Sequence, residues 1–169
     1  MQAADVLLVI AEISVALVGF TGIIAVFRQR GISSWQPQTA YRFKFMCWNA
    51  FNAMAFALVP FVPYNVPEVS AWTWQISSTL FALANLSLVW LTWSGARNLP
   101  PEFASQLSRG WMITYQSGSL IMVALLLANA FCLLDAAGPA MYLRGLGWQL
   151  FLAASLFVRL MLAPNAATD

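Results

Sequence analysis

Histidine is absent from this 169-residue chain, and lysine occurs once, at Lys44. Without histidine there is no imidazole base for catalysis, no histidine ligand for a metal or haem, and no histidine pH switch. Charge of either sign is also scarce, since charged residues make up 8% of the chain against roughly a quarter of a typical soluble domain. Because so few charged side chains cannot cover a water-soluble domain, we expect a membrane protein.

The remaining polar residues form no recognisable catalytic or metal-binding pattern. Cysteine occurs only as Cys47 and Cys132, which is too few for a metal site in a chain without histidine. The serines have no histidine base, and the Ser-Gly-Ser sequence at 117–119 lacks the flanking glycines of a nucleophile elbow. A net charge of +2 gives no indication of nucleic-acid binding. We therefore predict no catalytic residue, no cofactor, no metal ion and no nucleic-acid partner, and an enzyme is not favoured.

Long apolar segments are abundant: hydrophobic residues make up 61% of the chain, and its mean hydropathy is +0.73. A helix that crosses a hydrocarbon core about 30 Å thick needs about 20 apolar residues. Five segments reach this length: residues 6–27, 43–62, 72–93, 111–134 and 143–162. The sequence thus predicts an all-α, polytopic transmembrane bundle of five spans in a single domain, residues 1–169. Pro37 suits a first helical turn, so the second helix is expected to begin before its span.

Basic residues concentrate in the first and third predicted loops: Arg28, Arg30, Arg42, Lys44, Arg97 and Arg109. The second loop has none, and the fourth has only Arg144. Because lysine and arginine in short loops mark the cytoplasmic side, we expect the N-terminus outside and the C-terminus in the cytoplasm. Positive charge follows the first apolar segment and does not precede it, which favours a retained span over a signal peptide.

Glu12 is the only acid well inside an apolar segment, and a carboxyl group in hydrocarbon needs a partner or marks a functional site. Counting 1.5 Å per residue puts it roughly 9 Å below the outer edge. The candidate intramembrane polar site joins Glu12 to residues of similar depth: Ser78, Asn129, Gln149 and Arg144. Arg144, Asn129 and Gln149 are its expected partners.

A second candidate layer of polar residues lies on the cytoplasmic side: Asn49, Asn52, Asn85 and Ser117. Two interpretations of both layers stay open. The side chains either hydrogen-bond between facing helices and fix their register, or line a wet cavity or an ion path.

Small residues share the helical face of Glu12. Ala16 and Gly19 follow it at i+4 and i+7, and Gly22 borders the same stripe. Small side chains let another helix backbone approach closely. This stripe is therefore predicted to be a helix–helix seam, either within the bundle or between subunits.

The stretch AEISVALVGFTGIIAVFRQRG is followed by Trp35 in a polar loop and by Arg42 at the start of the next span. This pattern resembles an uncharacterised family of small bacterial multi-span membrane proteins, in which an acid-containing first span with a glycine pair ends in basic residues. The resemblance covers roughly the first third of the chain, and the rest matches in hydropathy only. It implies a bacterial inner-membrane location, and it implies no activity and no residue role.

Short loops, the small-residue stripe and the lack of catalytic groups favour a non-enzymatic membrane subunit or scaffold. Its partners would be the lipid bilayer and either further copies of the chain, in a homo-oligomer, or other membrane proteins. The alternative is a small oligomeric ion or proton channel or transporter that uses Glu12. A third possibility is a site for a lipid or another hydrophobic ligand among the aromatic residues.

Overall fold

A computed structural model of the protein describes residues 3–27, 37–98, 109–133 and 138–161. Within these ranges the chain is all-helical and contains no strand. The helices are α1 (Ala3–Phe27), α2 (Pro37–Leu58), α3 (Phe61–Tyr64), α4 (Thr73–Arg97), α5 (Arg109–Ala130) and α6 (Pro139–Met161). A turn of 3-10 helix, Ser70–Trp72, precedes α4.

Five helical segments are long and apolar enough to cross a membrane: Ala3–Ile23, Thr39–Tyr64, Ser70–Arg97, Gly110–Ala130 and Pro139–Met161. This result confirms the all-α class and the five predicted segments by length and composition.

Several helix ends differ from the predicted span ends, and at three of them a proline or an unusual backbone angle intervenes. The second helix begins at Pro37, as expected, and ends at 58 rather than 62 because Pro60 and Pro63 cannot donate the next helical hydrogen bonds. The fourth long helix, α5, ends at 130 rather than 134, and Cys132 beyond it has a φ of 53°. Residue 134 lies outside the described ranges. The last helix begins at 139 rather than 143, with proline again in the first turn.

The last helix, α6, lies at the centre of the bundle and contacts α1, α2, α4 and α5. Near its start the Tyr142 hydroxyl donates to the Phe56 carbonyl, and further along Leu156 packs with Met46. These two contacts show that α6 runs antiparallel to α2. The other close helix pairs are α1 with α2 and α4 with α5.

The buried apolar side chains form two clusters, one toward each end of the bundle. The larger cluster contains Leu7, Ile10, Ala57, Phe81, Ala82, Val123, Leu126, Tyr142 and Leu146. The smaller one contains Phe45, Met46 and Leu156. Between the two clusters the interior holds buried amides, among them Asn49, Asn85 and Gln149. The middle of the core thus combines these amides with buried apolar side chains such as Leu88, Leu152 and Ala153.

The outward surface is also apolar. Every long helix exposes large hydrophobic side chains, for example Phe20, Leu83, Ile121 and Phe151, each more than half exposed. Such a continuous apolar surface is unfavourable in water and suits contact with hydrocarbon.

Candidate functional site

Glu12 lies on the exposed surface of α1. Within the described residues it forms no hydrogen bond and no ion pair. The helix packs through its other side, where Leu7, Ser14 and Thr21 are buried. Glu12 and Thr21 are nine residues apart, which at roughly 100° per residue puts them on opposite sides of the helix. The carboxyl group therefore points away from the bundle.

The expected pairing of Glu12 with the other outer polar residues is not found. Arg144 is exposed, and its Nη1 lies 3.4 Å from the Met141 sulfur of its own helix. Asn129 and Gln149 are buried and bonded elsewhere. The prediction used depth alone, whereas contact also depends on which face of α1 packs against its neighbours. That face is set by the residues at positions 7, 10, 14 and 21, which are buried.

The small residues of the stripe are exposed together with Glu12. A β-carbon added at Gly19 or at Gly22 would meet no atom within 4 Å, and Ala16 is exposed as well. The stripe is therefore not a seam within the bundle, which leaves the alternative of a seam between subunits. We call Glu12, Ala16, Gly19 and Gly22 the Glu12 face.

Asn129 joins α4, α5 and the turn before α6. Its Nδ2 donates to the Ser78 hydroxyl at 2.8 Å and to the Gly138 carbonyl at 3.3 Å. Its Oδ1 accepts from the Gly138 N–H at 2.7 Å. Gly138 has a φ of 141°, which side-chain-bearing residues rarely adopt. Asn129 thus holds Gly138 against α4 and α5, and with both amide hydrogens used it has no donor left for the Glu12 carboxyl group.

Gln149 and Asn85 form a direct amide pair, although the sequence predicted them in different layers. The Gln149 Nε2 donates to the Asn85 Oδ1 at 2.5 Å, and the Asn85 Nδ2 donates to the Phe81 carbonyl at 3.0 Å. Because α6 begins four residues before the predicted span, Gln149 lies about 15 Å along the helix, close to its middle. Asn85 lies at the middle of α4 as well, so the two residues share one level.

Asn49 forms the second interior polar pair, with a tyrosine that sequence reasoning missed. Its Nδ2 donates to the Phe45 carbonyl at 2.7 Å and to the Tyr115 hydroxyl at 3.2 Å. Nearby, the Tyr41 hydroxyl donates to the Thr92 carbonyl at 2.9 Å. The available signal for Tyr115 was a tyrosine inside an apolar segment, because a buried tyrosine hydroxyl usually has a hydrogen-bond partner.

Ser117 is exposed and donates to the Thr114 carbonyl of its own helix, so it is not part of the interior layer. Ser119 is buried instead and accepts a hydrogen bond from Trp148 Nε1 at 3.3 Å. A step of two residues turns a helix by roughly 200°, so Ser119 faces the interior when Ser117 faces outward. Between them, Gly118 lies directly against the Trp148 ring.

Among the residues that the structure describes, several buried polar atoms have no hydrogen-bond partner: Asn52 Nδ2, Gln75 Oε1, Ser77 Oγ, Gln149 Oε1 and both polar atoms of the Gln116 amide. In the antiparallel register of α2 and α6, Asn52 and Gln149 lie at the same height, between the Phe56–Tyr142 and Met46–Leu156 contacts. A donor and an acceptor without partners at one level can share a water molecule. The hydrogen bonds between facing helices can therefore fix helix register, and Asn52 and Gln149 mark the level where a water molecule would find polar partners.

In the described ranges no group of three or more histidine, cysteine or acidic side chains is placed to hold a metal ion. The polar residues of the interior are neutral amides and hydroxyls.

Comparison of the chain with protein-family models, with curated proteins and with solved structures gives no match. The resemblance to small bacterial multi-span proteins therefore stays a prediction.

Proposed function

We propose that this chain is a non-enzymatic, membrane-spanning subunit that associates with a second copy of itself through the Glu12 face of α1. The observation that carries the proposal is the outward position of Glu12, unpaired within the described residues and bordered by two exposed glycines with open space where a side chain would lie. In a single copy in a membrane, this carboxyl group would face lipid.

Association through the Glu12 face would reduce the free-energy cost of a carboxyl group that faces lipid. A charged side chain at the bilayer centre costs about 2.5–3.5 kcal/mol on insertion scales, and less toward the edge. A second α1 would replace lipid around Glu12 by protein dipoles. Ala16, Gly19 and Gly22 would let the two helix backbones approach closely, which is how small residues promote helix association in membranes.

The proposal includes a position in the bacterial inner membrane, with the N-terminus outside and the C-terminus in the cytoplasm. The distribution of basic residues supports this orientation. At the proposed cytoplasmic end, arginine and tryptophan side chains also meet. The Arg97 guanidinium lies 4.9 Å from the Trp93 ring centroid, and the Arg159 guanidinium lies 4.0 Å from that of Trp111. Such residues are typical of a membrane interface.

Native mass spectrometry in nanodiscs, at several ratios of protein to nanodisc, tests the association. We expect an oligomer for the natural sequence, and a shift to monomer for Gly19→Ile because its side chain would hold the two backbones apart. Gly147→Ile is the matched control, since Gly147 is also an exposed helical glycine with empty space beside it. Monomer at every ratio for the natural sequence, or equal effects of the two variants, would remove the basis of the proposal.

A channel is the second candidate function, and the unpaired amide atoms of Asn52 and Gln149 are the observation that favours it. Water at this level would form a hydrated site between the two apolar clusters of the core, and an ion path needs such sites. In proteoliposomes, the channel requires a measurable ion or proton flux that Asn52→Leu lowers. If Glu12 is the titrating group, Glu12→Gln lowers the flux as well. Absence of flux from the purified protein would exclude this function.

A further inference from the structure

Two arginines share one small cavity at the proposed cytoplasmic end of the bundle. Arg42 at the start of α2 and Arg159 near the end of α6 both line it. The polar groups around them belong to Tyr41, Thr92 and Tyr115, and the Trp111 ring forms one wall. Residues of α2, α4, α5 and α6 thus converge on one opening, so the cavity is built by the fold and does not belong to one flexible segment.

The positive charge in this cavity is not balanced by the described part of the chain. Both guanidinium groups are half-buried and lie within electrostatic reach of each other. The described acids are Asp5, Glu12 and Glu68. Asp5 and Glu68 lie toward the other end of the bundle, and Glu12 points outward from α1. Two like charges in one partly dehydrated cavity repel each other, and an anion between them would remove that repulsion.

The size of the cavity limits the anion. The cavity has a volume of about 30 Å³, which is room for about two water-sized groups, such as two oxygen atoms, at about 10–15 Å³ each. A phosphate group can place two oxygens inside and leave its ester substituents at the mouth. Arginine suits this chemistry because its planar guanidinium binds two phosphate oxygens at once.

We propose that Arg42 and Arg159 form a binding site for a phosphate group, with Tyr41 and Tyr115 as neighbouring hydroxyl groups. Basic pockets between transmembrane helices on the cytoplasmic side commonly bind phospholipid head groups. An anionic phospholipid and free inorganic phosphate offer the same phosphate chemistry. This site goes beyond the proposed self-association, because it lies on α2 and α6 and not on the Glu12 face.

Native mass spectrometry of the delipidated protein tests the site. Three ligands are added separately: phosphatidylglycerol, phosphatidylcholine and inorganic phosphate. The variants are Arg42→Gln and Arg159→Gln, and Arg144→Gln is the matched control because Arg144 is an exposed arginine at the other end of α6. We expect phosphatidylglycerol to bind in preference to phosphatidylcholine, and each cavity variant to weaken binding by about tenfold, with no change for the control.

Retention of inorganic phosphate, lost in the two cavity variants only, would support the site with free phosphate as its source. The lysine variants Arg42→Lys and Arg159→Lys separate a folding defect from lost recognition, since they keep the charge and lose two-oxygen binding; partial binding is expected. Equal binding by the natural sequence and both glutamine variants would overturn the proposal. An equal loss in Arg144→Gln would overturn it too. Oligomer mass is read in the same spectra, so failure of the site and failure of self-association are distinguishable.

Discussion

Replacement of Asn85 by leucine is expected to destabilise the bundle more than replacement of Gln149 by methionine, although the two side chains form one hydrogen bond. The two costs differ because the two substitutions leave different polar atoms without hydrogen-bond partners. The Gln149 Oε1 already lacks a partner in the described part of the chain, so Asn85→Leu leaves both polar atoms of a buried amide unpaired there. Gln149→Met removes that unpaired oxygen, and it leaves only the Asn85 Oδ1 without its donor.

The magnitudes follow from the cost of a buried unpaired polar group, about 1–3 kcal/mol. We expect Asn85→Leu to lie within that range and Gln149→Met to cost about 1 kcal/mol or less. The double variant removes both amides, so its cost should be smaller than the sum of the two. The difference, the coupling energy, should be about 0.6 kcal/mol and at most about 1.7, as for other interhelical hydrogen bonds in membranes.

Unfolding by a denaturing detergent in mixed micelles, followed by circular dichroism, measures these free energies. Ser117→Ala is the control, because its exposed hydroxyl bonds only to its own helix and should change stability by about 0.5 kcal/mol or less. A coupling energy of zero would mean that water, not the partner amide, satisfies each group. A larger cost for Gln149→Met than for Asn85→Leu would refute the asymmetry.

Two further predictions concern α5 and its end. A β-carbon at Gly118 would overlap the Trp148 ring, so Gly118→Ala should cost about 1–3 kcal/mol in the same unfolding assay. Gly110→Ala, where the added carbon meets nothing, should be neutral, and equal effects would contradict the contact. Cys132 is exposed and Cys47 is half-buried. If the N-terminus is outside, as proposed, a membrane-impermeant maleimide should label Cys132 in intact cells and should not label the Cys132→Ser variant. Labelling only after cell lysis would reverse the orientation.

Hydrophobic run length was sufficient to predict the five long helices, because a membrane-spanning helix must be apolar over a fixed length. It was not sufficient for the polar contacts. Gln149 was predicted beside Glu12, since the start of α6 at Pro139 was not evident from hydropathy. Ser117 was predicted in the inner layer, but Ser119 is the serine that is buried, since the direction of a serine side chain depends on how α5 rotates against α6.

The position of Glu12 also shows that hydrophobic run length does not predict which way a side chain points. Its depth could be counted from the sequence, but its outward direction follows from Leu7, Ser14 and Thr21, which pack on the opposite side. Nothing in the α1 sequence alone distinguishes a face that meets α2 from a face that meets a second subunit. Both faces contain small residues, and nearly all of the remaining residues on each are hydrophobic.

The central place of α6 has a consequence for the order of synthesis. During translation α1 and α2 can pair as a hairpin, and α4 and α5 as another, but the helix that contacts all four is made last. About 100 residues separate the end of α2 from the end of α6, which at 5–20 residues per second is a delay of about 5–20 s. Until α6 is made, the Asn85 side chain lacks its hydrogen bond from Gln149, and the Phe56 carbonyl lacks its hydrogen bond from Tyr142. The nascent hairpins are therefore the form of this protein most open to insertion factors, wrong partners and proteases.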